Sequence, residues 1–283
     1  MKKSKILPNN KRGKSYLKIG KIPYANLFPI FYALQKRCDC SEYEFIEGVP
    51  STVNRLLRSG EIDVSPSSSI EYLRYKNQYS LIENHSISSK GPAGSILLLS
   101  RKPIEKLKSE TIKVSSQSET SVVLLKIILK KFHGTECSLE PSDESPDSLI
   151  NKAGAFLVIG DEALKAKKTL SPVYIYDLGD LWYENTGLPF VFALWIARED
   201  CLVQKGSLIK TFINDLEKSK VLAIQSLDEI AEELRPLLIK RYSLDMTKEE
   251  LVSYWTGISY DLSEEHKRGL ELFRKYAEEL HPL

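Results

Sequence analysis

The chain has 283 residues, 42% hydrophobic and 28% charged, the balance of a soluble globular protein with one large or two medium domains. Its net charge of +2 hides an asymmetry: Lys2, Lys3, Lys5, Lys11, Arg12 and Lys14 put +6 on the first fourteen residues and leave −4 on the rest. That mildly acidic body argues against a nucleic-acid groove, and no run reaches the ~18 apolar residues of a membrane span.

Residues 1–16 are expected to form a basic, disordered leader. No secretory signal follows them, so the cytoplasm is the expected compartment. Four scattered cysteines (Cys38, Cys40, Cys137, Cys201) and four histidines (His85, His133, His266, His281) lack metal-ligand spacing. Neither a metal nor a cofactor is expected, and the partner is expected to be a small molecule.

Strands and helices then alternate. Leu17 to Ile22 reads as a strand, Pro29 opens a helix to about Gln35, and Tyr43 to Glu47 is a second strand. Ser51 is expected to cap a helix that Gly60 ends. Ile62 to Ser65 is a buried strand running into Pro66-Ser67-Ser68-Ser69, and a helix follows from Ile70 to Tyr75. Strands return at Leu81 to Ile87 and Gly94 to Ser100. This series predicts a largely parallel sheet covered by helices.

Arg101-Lys102-Pro103 interrupts the series and a second one begins. Ile112 to Val114 is a strand, and the helix Val122 to Phe132 is apolar nearly all round, hence buried. Segment 133–152 offers a weak strand at most. Ala155 to Ile159, Val173 to Asp177 and Phe190 to Ala197 complete the strands. From Gly206 the chain is helical, with a capping box at Thr247 to Glu250. An inserted second series predicts two crossings, near 98–102 and 192–198. Residues 17–100 with 198–283 would form lobe 1, residues 101–197 would form lobe 2, and a ligand would sit between them.

Three polar clusters precede helices: Tyr24-Ala25-Asn26, Ser67-Ser68-Ser69, and Ser118 to Ser121 with Thr120 among them. Each places hydroxyls or amides at a positive helix end, which suits a carboxylate or phosphate, although any single cluster is more often an N-cap alone. The turn Ser88 to Ser95 contains Gly91-Pro92 and Gly94, which permit close backbone approach, and Ser95 either faces the cleft or is solvated. Asp161 either caps a helix or touches ligand. His85 reads as a structural histidine or a base, and Trp182, Trp195 and Trp255 as core aromatics. Nucleophile elbows, Walker loops, dinucleotide fingerprints and His-Glu-x-x-His are absent.

Taken in order, Ile-Pro-Tyr-Ala-Asn26, Gly48-Val-Pro-Ser51, Gly60-Glu-Ile-Asp63, Ser-Pro-Ser-Ser-Ser69-Ile-Glu-Tyr, Gly91-Pro92 with Ser95, Ser118-x-Thr120-Ser121, Ile159-Gly160-Asp161, and Asp177-Leu-Gly with Trp182 and Thr186-Gly-Leu-Pro-Phe-Val-Phe-Ala193 resemble the chorismate dehydratase family of the futalosine route to menaquinone. The resemblance runs from about residue 17 to 198. It implies an α/β, two-lobed type II periplasmic-binding-protein-like fold with a mostly helical C-terminal segment. It also implies conversion of chorismate to 3-[(1-carboxyvinyl)oxy]benzoate, with Asn26 and Ser95 as the catalytic pair. Ser67, Ser68, Ser69, Ser118, Thr120, Ser121, Gly160 and Asp161 are the expected substrate-binding residues. Ala25 and Lys90 depart from the family pattern, and Lys90 could alter the charge beside the cleft.

Alternatives are a non-catalytic solute-binding protein for a small carboxylate and the later enzyme of the same route, which acts on a cyclic futalosine derivative. The latter would show a Ser-Pro-Cys-Pro-Asn-like start, which this chain lacks. A regulator's effector domain would carry a helix-turn-helix before residue 17, and none is seen.

Overall fold

The computed structural model of the chain describes residues 16–170 and 174–280. The expected leader, apart from Tyr16, and the strand start at Val173 lie outside them. Among the described residues ten strands form two sheets. The first contains β1 (Leu17–Lys21), β2 (Tyr43–Glu47), β3 (Val64–Ser68), β4 (Tyr79–Ser89) and β10 (Phe190–Arg198). The second contains β5 (Ile96–Ser100), β6 (Thr111–Ser115), β7 (Ser138–Ser142), β8 (Ala155–Ile159) and β9 (Tyr174–Asp177). Their orders are β2-β1-β3-β10-β4 and β7-β6-β8-β5-β9.

The helices between them are α1 (Phe28–Arg37), α2 (Pro50–Ser59), α3 (Ser69–Arg74), α4 (Glu119–Ile127), α5 (Pro146–Lys152), α6 (Gly160–Thr169) and α7 (Leu178–Thr186). The C-terminal segment is α8 (Glu199–Gln204), α9 (Gly206–Gln225), α10 (Leu227–Tyr242), α11 (Lys248–Thr256) and α12 (Glu264–Leu280). No helix among the described residues is long and apolar enough to cross a membrane.

Each sheet is mixed. β1 pairs in parallel with β2 and β3, whereas β10 runs antiparallel between β3 and β4. In the second sheet β6 pairs in parallel with β7 and β8, and β5 runs antiparallel between β8 and β9. The lobe boundaries expected from sequence are corrected accordingly. Ile96–Ser100 belongs to the second sheet and Phe190–Arg198 to the first, so the chain crosses at about 90–95 and 187–189. Both strands are apolar nearly throughout, and an apolar run reveals a strand without revealing the sheet it joins.

Other differences have local causes. β3 continues through Pro66 to Ser68, because β1 meets it only at Ile19–Val64 and Pro66 lies beyond that pairing. The cap position of α2 is Val49 with Pro50 in the first turn, which puts Ser51 inside the helix. Segment 133–152 holds α5 as well as β7: Ser145 Oγ accepts from the Ser148 amide and Pro146 opens the helix. The expected apolar helix is buried as predicted, but it starts at Glu119 and ends in a π turn over Ile128–Phe132.

Two aromatic clusters brace the lobes. Trp195 of β10 packs on Phe31 of α1 and Phe212 of α9, with ring centroids 5.7 and 5.6 Å away. Trp182 of α7, Phe190 of β10 and Phe273 of α12 form the second, at 4.9 to 6.3 Å. Phe190 and Phe273 thereby carry the first sheet and the last helix into the core of Leu124, Leu125 and Leu157. Truncating either tryptophan to alanine would cost about 3–5 kcal/mol.

Candidate active site

Strand ends from both sheets meet at a small cavity between the lobes, about 70 Å³ in volume. β1 delivers Ile22, Tyr24 and Asn26; β3 delivers Ser68; the crossing into lobe 2 delivers Ser95; α4 delivers Ser118 and Ser121; β8 delivers Ile159 and Gly160. Phe192 and Ala193 both face it although they are consecutive. A bulge explains this, since the pairing with β4 jumps from Val191–Ser88 to Ala193–Ile87 and leaves Phe192 as the extra residue.

Asn26 lies in a 3-10 turn over Ala25–Leu27, and its backbone is held from three directions. The Ala25 amide donates to Asp161 Oδ1 at 2.9 Å, Trp255 Nε1 donates to the Ala25 carbonyl at 2.7 Å, and the Tyr260 hydroxyl donates to the Asn26 carbonyl at 2.8 Å. The side-chain oxygen is different. Among the described residues Asn26 Oδ1 is buried and has no hydrogen-bond partner. An unsatisfied buried acceptor costs about 1–3 kcal/mol, and its presence at a cavity points to a bound group that would satisfy it.

Ser95 is 5% exposed. Its carbonyl accepts from the Gly160 amide at 2.8 Å, and its hydroxyl accepts from the Tyr254 hydroxyl at 2.9 Å. The preceding turn is clamped by Asp177, whose carboxylate accepts from the amides of Ala93 (2.9 Å) and Gly94 (2.6 Å) and also caps α7 through Gly179 (2.9 Å). Burial raises the Asp177 pKa against those amides.

Gly160 has φ +59°, and a Cβ there would lie 2.9 Å from the Tyr24 ring, so only glycine fits without movement. Tyr24 reaches across the lobes to donate to Gln117 Oε1. Burial, then the charges of Asp161 and Glu162, hold its phenol well above the ordinary range. Tyr24 is the one titratable side chain on the described wall, which carries no carboxylate, imidazole or amine. Ser118 and Gly160 stand at the positive ends of α4 and α6. Among the described residues no cluster of three or more His, Cys, Asp or Glu could hold a metal.

A family model described as menaquinone biosynthesis matches residues 17–279. The chain belongs to the menaquinone biosynthesis family. Within reach of that family, it is 28% identical to a chorismate dehydratase of Thermus thermophilus, covering 88% of this chain and 91% of the relative. It is 30% identical to a chorismate dehydratase of Campylobacter jejuni, over 80% and 86%. A 1,4-dihydroxy-6-naphtoate synthase of Thermus thermophilus is 24% identical, over 90% and 91%.

Solved structures show the same fold. A protein of Archaeoglobus fulgidus superposes with a TM-score of 0.76 at 21% identity, covering 94% of this chain and 98% of its own. The periplasmic aliphatic sulphonate binding protein of Escherichia coli does so with a TM-score of 0.67 at 13% identity, covering 96% and 90%. The two-lobed periplasmic-binding-protein-like fold expected from sequence is therefore the fold of this family member.

Of the ten expected site residues, six line the cavity: Asn26, Ser95, Ser68, Ser118, Ser121 and Gly160. The other four do not, and each has another bond. Ser67 Oγ pairs with Ser65 Oγ at 2.6 Å, on the opposite side of β3 from Ser68. Ser69 Oγ donates to the Val191 carbonyl at 2.5 Å. Thr120 Oγ1 accepts from the Ile70 amide at 3.0 Å and ties α4 to α3. Asp161 holds the Ala25 amide and faces a neighbouring cavity of about 410 Å³.

Burial raises the Asp161 pKa to about 6. Lys90 is off the wall, in an exposed ion pair with Glu265 at 3.1 Å. His85 is also off the wall. Burial, then Lys220, lowers the His85 pKa to about 4, and its Nε2 sits 3.1 Å from Glu217.

Sequence reasoning placed Asp177 in the family motif without a role, and missed Tyr254, Trp255 and Tyr260 as supports of the site. Asp177-Leu178-Gly179 at a helix start carried a capping signal for the first. The three aromatics act across 159 to 234 residues of chain, which no local pattern encodes.

Proposed function

We propose that the chain is a chorismate dehydratase, a hydro-lyase that removes water from chorismate to give 3-[(1-carboxyvinyl)oxy]benzoate on the futalosine route to menaquinone. The carrying observation is that the unpartnered Asn26 oxygen and the Ser95 hydroxyl share the wall of one inter-lobe cavity whose described wall has no charged side chain. The names of the Thermus and Campylobacter relatives support the substrate.

Chorismate carries two carboxylates, a hydroxyl able to leave, and a ring hydrogen whose loss completes an aromatic ring. The electron pair of that C–H bond becomes the new π bond as the C–O bond breaks. A carboxylate of the substrate accepts the ring proton, and the departing oxygen takes up a proton to leave as water. Aromatisation supplies driving force, so orientation counts for more than a strong protein base. Well-aligned intramolecular groups reach effective molarities worth about 7–11 kcal/mol of barrier. Asn26 and Ser95 orient the ring and hydrogen-bond the departing hydroxyl, each such contact being worth about 10²–10³ in rate. The starts of α4 and α6 suit the substrate's carboxylates, and closing the lobes keeps water out. Action in the cytoplasm is part of the proposal, in keeping with four cysteines that are all free.

Incubating the purified chain with chorismate and following products by mass spectrometry tests this. The expected product is an aromatic enol ether one water lighter than the substrate. Binding without turnover would favour a solute-binding role, and turnover of a cyclic futalosine derivative instead would favour the later enzyme.

A further inference from the structure

Helix α11, in the C-terminal segment, supplies two consecutive side chains to the candidate pair. Trp255 fixes the loop of Asn26 through the Ala25 carbonyl, and Tyr254 reaches the Ser95 hydroxyl at 2.9 Å. Thr247 and Glu250 hold the start of this helix with a reciprocal capping box. The Tyr254 ring lies over Gly94, where a Cβ would sit 3.3 and 3.5 Å from its Cδ2 and Cε2, and Gly94 takes φ +74°. A bare glycine at the crossing thus lets the phenol pass to the next residue. Tyr254 is not part of the described cavity wall and reaches it through its hydrogen bond to Ser95.

A serine hydroxyl has one proton and two lone pairs. Tyr254 donates to one lone pair, and among the described residues Ser95 Oγ makes no other hydrogen bond. The Ser95 proton is therefore free to point into the cavity. On the dehydratase reading, we propose that Tyr254 is a positioning residue. It orients the Ser95 hydroxyl as a donor toward the leaving oxygen of the substrate. Desolvation keeps the Tyr254 phenol protonated well above neutral pH, so it remains a donor.

The test is a double-mutant cycle on the full chain with chorismate, using Tyr254→Phe and Ser95→Ala alone and together. Tyr254→Phe is expected to lower kcat by about 10–100-fold with KM within about 3-fold, since the lost orientation acts in the transition state. In the Ser95→Ala background the same change is expected to have an effect below about 2-fold. Unchanged kcat in Tyr254→Phe, or two effects that multiply, would overturn the proposal.

If Tyr254→Phe does not fold, 3-fluorotyrosine at position 254 keeps the ring and strengthens the donor. It should then shift kcat only where Ser95 is present, and an equal shift without Ser95 overturns the role. A wild-type chain that leaves chorismate untouched defeats the dehydratase reading itself, and this inference with it.

Discussion

The second lobe repeats the first strand for strand: β6, β7, β8 and β9 take the places of β1, β2, β3 and β4, and β5 the antiparallel place of β10. Equivalent loops nevertheless differ. After β1, the backbone around Asn26 is fixed by Asp161, Trp255 and Tyr260 while its side-chain oxygen stays unpartnered. After β6, the polar side chains serve their own helix: the Ser121 amide donates to Ser118 Oγ at 3.3 Å, and the two hydroxyls lie 2.9 Å apart. Lobe 1 therefore presents a rigid, unsatisfied group and lobe 2 a self-satisfied cap. On a cavity wall, a rigidly supported group left unmet is available to a ligand, whereas a met one serves the fold.

That contrast breaks most easily at Asn26. Asn26→Ala is expected to lower kcat by about 10²–10³-fold with substrate Kd changed only a few-fold. Its melting temperature should stay level or rise, because an unsatisfied buried oxygen is removed. Steady-state kinetics beside a thermal melt reads both.

Asp161 comes next, since its raised pKa marks a carboxylate strained by burial. Between the unfolded pKa of 3.8 and the folded value of about 6, the native state holds the extra proton. Stability due to this group is present at low pH and is lost as pH rises through that window. Asp161→Asn is expected to stabilise the protein by about 1–3 kcal/mol at pH 7.5 and by nothing below about pH 4, measured by urea unfolding at both values.

Gly160→Ala, which forces a Cβ toward Tyr24 at a positive φ, should cost about 1–2 kcal/mol and also reduce kcat/KM. Ser118→Ala should be the mildest. Losing the cap costs about 1 kcal/mol in the same unfolding assay, with kcat within about 3-fold. A large kinetic loss there would erase the difference between the lobes.

Much of this was legible in the chain itself. Alternating apolar runs gave the strands, and the polar residues before helices gave Asn26, Ser68, Ser118 and Ser121. Two failures share one cause. β5 and β10 were assigned to the wrong lobes, and Tyr254 and Tyr260 were not seen as supports, because sheet membership and long-range hydrogen bonds are set by tertiary packing. Ser67 failed for a simpler reason. With β3 extended to Ser68, a period of two turns Ser67 away from the face that Ser68 shows.

A crystal structure of Asn26→Ala with chorismate bound tests the central claim most directly. The account predicts the substrate between the lobes, its leaving hydroxyl within hydrogen-bonding distance of Ser95 Oγ, and its own carboxylate nearest the ring hydrogen. A protein carboxylate or imidazole beside that hydrogen, or a substrate bound elsewhere, would contradict it.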